Sequence, residues 1–144
     1  MLRKLKALFD APEPMASEHD LQLAAAALLI ELGKADYQRD EREQQAIFAA
    51  VRNCYRELDE ATVAELIRDA EAASDRATSL YEFTRIINER CGEEEKFQLV
   101  RELWRVAYAD GAIDKYEDHL IRRIAELIYL PHALYIRAKL EVAS

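Results

Sequence analysis

Two runs of acids, Asp36, Asp40 and Glu43 and then Asp110, Asp114 and Glu117, share one spacing and are offset by 74 residues. Both sit in the frame Ala-Asp, three residues, Asp, two residues, Glu: ADYQRDERE at 35–43 and ADGAIDKYE at 109–117. Three carboxylates converging on one turn make an all-oxygen ligand set, suited to a hard cation such as Ca²⁺, Mg²⁺ or Mn²⁺ rather than to Zn²⁺. A second chemistry fits the same residues. Asp at an N-cap and Glu at the third helical position satisfy orphan N–H groups at a helix start, each cap contributing about 1 kcal/mol. Capping accounts for Asp40 with Glu43 and for Asp114 with Glu117. It does not account for Asp36 and Asp110, which end the preceding apolar segments, where the helix dipole disfavours negative charge. Their compensation comes either from Arg39, Arg42 or Lys115 or from a bound cation. Gly111 favours the second run, because a positive φ lets the turn aim backbone carbonyls inward. The first run has Tyr37 there, and Arg39 and Arg42 dilute its charge. Neither run is an EF-hand: the span is too short and the alternating acids of that loop are missing.

The elements that must position these acids are helices. Only three glycines and three prolines occur among 144 residues, and Ala, Leu, Glu and Arg dominate, so the expected class is all-α. Ser17 with Asp20 reads as a helix start, and Glu18 to Ala35 is apolar nearly all round, which places it at the centre of a bundle. After the first acidic corner, Ile47, Ala50, Val51, Cys54 and Leu58 keep the spacing of one buried face. Asp59 caps the next helix, with stripe Val63, Leu66, Ile67 and Ala70, and small polar residues from Ala73 to Ser79 read as a linker between halves. Leu80, Phe83, Ile86 and Ile87 mark a further helix, with Gly92 suited to a left-handed C′ position. Glu93 to Glu95 open another, buried through Leu99, Val100, Leu103, Trp104 and Ala107. Beyond the second corner, Leu120, Ile121, Ile124, Leu127 and Ile128 line a helix, and Pro131 suits the first position of a last one ending near Val142. The order helix, acidic corner, helix, helix occurs twice. Residues 1–16 form a separate arm, in which Met1 to Phe9 is a miniature basic amphipathic helix ended by Pro12 and Pro14, and 17–144 form the domain. The arm either docks its own leucines on the domain or gives weak attachment to a membrane surface or partner.

The totals narrow the function. A formal net charge of −8 argues against nucleic acid and for cations or protein partners. Cys54 and Cys91 lack C-x-x-C spacing, so neither a zinc cage nor a thioredoxin-type pair is expected, and Cys54 reads as core. There is no signal-peptide pattern, and the longest apolar run, 23–30, is too short to span a bilayer, which gives a cytoplasmic expectation.

The ADG-x-I-x-x-x-E run at 109–117, its degenerate echo at 35–43, the helix-only pattern and the length together resemble the TerB-like family of tellurite-resistance-associated proteins. The resemblance covers about residues 17–144. It implies a compact bundle of about seven helices with internal pseudo-symmetry. It also implies a divalent-cation site at Asp110, Asp114 and Glu117, echoed at Asp36, Asp40 and Glu43, and a setting in bacterial stress-response complexes, at the inner face of the membrane or beside a DnaJ-like co-chaperone. It does not imply tellurite chemistry: so acidic a chain repels an oxyanion overall, and no cysteine pair is placed to reduce one.

No enzyme is expected. His19, His119 and His132 come without a Glu-x-x-His motif, and no G-x-S-x-G, Walker A or dinucleotide-binding glycine pattern occurs. His119 reads as an exposed helix residue, with a role orienting a metal ligand as the sharper alternative. The expectation is a binding or adaptor module responsive to a divalent cation. The alternatives are an interaction domain whose acids only cap helices and a metal-dependent hydrolase. Tyr108, Tyr116 and Tyr129 are candidate partner contacts or core-edge residues.

Overall fold

The computed structural model describes residues 15–34, 41–109 and 111–143. The N-terminal helix expected at Met1 to Phe9, and Asp36, Asp40 and Asp110, lie outside the described residues. Among those described there are seven α-helices and no strand: α1 Glu18–Lys34, α2 Glu41–Cys54, α3 Glu60–Arg76, α4 Tyr81–Arg90, α5 Glu93–Ala107, α6 Lys115–Leu127 and α7 His132–Ala143. The all-α expectation and the helix number hold.

Helix α1 is the hub. Its residues 24–30 are all buried, and it packs against α2, α3, α4, α5 and α6. A helix apolar on every side has no face to offer water, so the others must wrap it. Its start is fixed by a reciprocal pair, Ser17 N–H to Asp20 Oδ2 and Asp20 N–H to Ser17 Oγ, both 3.0 Å. These bonds hold the Asp20 carboxyl below its ordinary range. Trp104 of α5 is fully buried, as a core anchor should be, with its ring 5.5 Å from that of Tyr135 on α7. Helix α7 packs chiefly on α5. None of these helices is long and apolar enough to cross a membrane.

Four local expectations change. The linker read at Ala73 to Ser79 shrinks, because α3 runs on to Arg76. Ser74 is buried and donates its hydroxyl to Glu31 of α1, while Lys34 meets Asp75 at 2.7 Å, so contacts with a helix some 41 to 43 residues away override local composition. Helix α2 stops at Cys54, and Leu58 reaches the core from the following turn, ahead of the Asp59 cap that accepts the Thr62 N–H at 2.8 Å. Gly92 is not left-handed: at φ −83° and ψ −176° it is the N-cap of α5. Only Cys91 and Gly92 separate α4 from α5, so the chain must open straight into the next helix, and an extended N-cap does this. Pro131 precedes α7 rather than beginning it, its carbonyl accepting the N–H groups of Leu134 and Tyr135 at 2.9 and 3.1 Å.

Candidate functional site

The second acidic corner is assembled by the end of α5 and the start of α6. Helix α5 closes with Tyr108 N–H on Trp104 O at 2.9 Å and Ala109 N–H on Val106 O at 3.2 Å. Gly111 then takes φ +93°, donating its N–H to Tyr108 O at 2.9 Å. A Cβ at Gly111 would meet nothing within 4 Å, so the backbone angle, not space, calls for glycine. Asp114 is the N-cap of α6 and accepts the Glu117 N–H at 2.7 Å. Glu117 reaches back to the Asp114 N–H at 3.4 Å, a long bond that completes a capping box. Asp114 is exposed, whereas Glu117 is only 3% exposed.

The first corner repeats one part of this. Glu43 is the third residue of α2 as Glu117 is of α6, and it is 2% exposed. The spacing therefore carries a structural equivalence: the same helical position buries a glutamate at both corners. Of the six candidate metal residues, Asp114 and Glu117 are brought together, Glu43 begins the other corner, and Asp36, Asp40 and Asp110 fall outside the described residues. Among the described residues no group of three His, Cys, Asp or Glu side chains is gathered to hold a metal. The donor chemistry nevertheless fits a hard cation. Asp114 and Glu117 are both carboxylates, and each presents more lone pairs than the capping box uses.

A third buried glutamate shows what a purely structural carboxylate looks like. Glu102, in mid α5, is wholly buried and accepts from Asn53 Nδ2 at 3.0 Å and from the Arg105 guanidinium. Burial pushes its carboxyl up, opposed by Arg105 and Asn53. Its signal in the sequence was a charge inside the stripe of Leu99, Leu103 and Trp104.

The fold also joins residues whose sequence positions gave no reason to pair them. Cys54 and Cys91 line one small cavity with Ala25, Ile87 and Leu99. Burial pushes both thiols up to about 12, which keeps them protonated and poorly nucleophilic. Cys54 is half-buried, at the rim of the core rather than within it. His119 makes no hydrogen bond to Asp114 or Glu117 among the described residues. Instead it lines a cavity between α6 and α7 with Arg122, His132 and Lys139. Tyr116 and Tyr129 are exposed, whereas Tyr108 is half-buried beside Trp104.

The chain matches the family described as Tellurite resistance protein TerB over residues 22–140, from the first turns of α1 to the last turn of α7. No curated protein and no solved structure matches it.

Proposed function

We propose that this chain, which belongs to the TerB family, works as a non-enzymatic binding module whose acidic corners respond to a divalent cation. The observation that carries this reading is the burial of Glu43 and Glu117 at the same helical position of two corners. Each buried glutamate belongs to a run with two further acids, Asp36 and Asp40 or Asp110 and Asp114, so a cation bound there would meet three carboxylates. At the second corner Asp110, Asp114 and Glu117 would hold a hard cation, and its charge would relieve their mutual repulsion. These residues span the turn from α5 to α6, so gathering them fixes the angle between those helices and, with it, the surface they offer a partner. A protein partner suits a −8 surface better than a nucleic acid does.

The complete capping box at Asp114 and Glu117 favours a second reading, in which the acids only start helices and partner binding ignores cations. Calorimetric titration of chelator-treated protein with Ca²⁺, Mg²⁺ and Mn²⁺ separates the two. The cation reading expects saturable binding of at least one ion, abolished by the Asp110→Asn, Asp114→Asn double substitution. Heat that is absent, or equal in wild type and variant, would leave the acids as caps.

A further inference from the structure

The cavity between α6 and α7 has a character opposite to that of the chain as a whole. It is a solvent-open groove of about 220 Å³, lined by Asp118, His119, Arg122, His132, Tyr135, Ile136 and Lys139. In a chain with more acids than bases, four of these seven side chains are His, Arg or Lys and one is acidic. That one acid, Asp118, keeps its charge, its Oδ1 accepting the Tyr135 hydroxyl at 3.3 Å, so the basic groups outnumber it without cancelling it. The two full cations, Arg122 and Lys139, are weakly neutralised. Lys139 places its ammonium 4.9 Å from the centre of the Trp104 ring, and among the described residues no carboxylate lies within 4 Å of it. Trp104 is fully buried, so this cation–π contact holds the charge at a fixed place while leaving its N–H donors for another partner. Among the described residues Arg122 has one loose pair, Nε to Glu126 at 3.6 Å between two exposed side chains of one helix, which contributes little and competes weakly. His132 lies against the Tyr135 ring at 5.6 Å.

Helix geometry makes these groups converge. His119 and Arg122 are three residues apart on α6, while His132, Tyr135 and Lys139 follow at spacings of three and four on α7, so each set occupies one face. Donors from two facing helices surround a ligand in a way that two donors on one helix cannot. A volume of about 220 Å³ falls below the roughly 300 Å³ at which pockets for larger organic ligands begin. The buried aromatic rings of Trp104 and Tyr135 offer no free face for a base to stack on.

We propose that this cavity binds a phosphoryl oxyanion, with Arg122 and Lys139 as the charged donors and His119 and His132 completing the ring. Four donors on two sides suit a tetrahedral group with several anionic oxygens better than a flat carboxylate, which presents two. The site shares no residue with the acidic corners and does not depend on their binding a cation.

The test is titration of the full chain with inorganic phosphate at fixed ionic strength, followed by two-dimensional NMR, for wild type and an Arg122→Gln, Lys139→Met double variant. The Met stem keeps the cover over Trp104, and an unchanged unfolding midpoint checks the fold. The expected result is saturable shifts at His119, Arg122, His132 and Lys139, with affinity falling at least about tenfold in the variant. Absence of saturable shifts, or equal affinity in the two proteins, overturns the proposal. Co-sedimentation with vesicles of phosphatidylcholine and phosphatidic acid, lost in the variant, would place the phosphoryl group on a lipid headgroup. Free-phosphate binding without vesicle binding would place it on a soluble molecule, and both support the site. Cation titration of the same variant should match wild type, so failure here is distinguishable from failure of the acidic-corner reading.

Discussion

The two ends of α6 turn the chain by opposite means. At its N-terminus the α5–α6 corner uses Gly111 at φ +93°, an Asp114 cap and a buried Glu117. At its C-terminus the chain leaves through Tyr129 at φ +58°, with Leu130 N–H on Ala125 O and Tyr129 N–H on Glu126 O, both 3.0 Å. That is a Schellman ending with tyrosine where glycine is usual. Asp114 and Glu117 stand at the end where the dipole of α6 welcomes negative charge, and the basic cavity opens farther along the same helix towards α7. The contrast teaches where the chain relaxes its backbone and where it tolerates strain. It spends a glycine, one of only three, at the acidic corner, and keeps an exposed tyrosine in a left-handed position at the other turn.

The comparison can be broken from either side. The largest effect should come from Glu117→Ala, which empties a buried site and removes the reciprocal half of the capping box. We expect a loss of about 2 kcal/mol in urea unfolding, and Glu43→Ala should lose a similar amount if the corners are equivalent. Gly111→Ala should cost about 1 to 2 kcal/mol, because a Cβ at positive φ is strained even in open space. A loss near zero would mean that the corner does not need that backbone angle. Asp114→Ala should cost about 1 kcal/mol, the contribution of one N-cap, with the exchange protection of the first turn of α6 falling most. Smallest, and opposite in sign, Tyr129→Gly should stabilise by a few tenths to about 1 kcal/mol through relief of the left-handed tyrosine. Destabilisation there would show that the Tyr129 ring contributes packing beyond its exposed position.

The fold was largely legible because its signals are local. Leu99, Val100, Leu103, Trp104 and Ala107 repeat every three to four residues, and all five are buried. The apolar run within Glu18 to Ala35 could only belong at the centre. What escaped depended on distant partners. Ser74 and Asp75 look like linker residues until Glu31 and Lys34 of α1 hold them in a helix. Gly92 suits a helix end or a helix start equally well, and the two-residue link between α4 and α5 decides. At the candidate site the spacing led directly to Asp114, Glu117 and Glu43, because duplication and capping leave marks along the chain. The burial of the two glutamates could not be read, since it follows from how the helices close over them. The basic cavity was missed because each helix carries only part of it, although His119 with Arg122 and His132 with Lys139 already lay on helical faces in the sequence.

The most direct test of the cation account is thermal unfolding of chelator-treated protein with increasing Ca²⁺, Mg²⁺ or Mn²⁺, comparing wild type with Glu117→Gln. Glutamine keeps the size of the side chain and its capping hydrogen bond but removes the charge. A ligand that binds only the folded state must raise its stability by mass action. The account predicts a concentration-dependent rise in Tm with at least one hard cation in wild type and a much smaller rise in Glu117→Gln, which without the ion should unfold no lower than wild type because one charge of the repelling set is gone. The same rise in both proteins, or none in wild type, would contradict it.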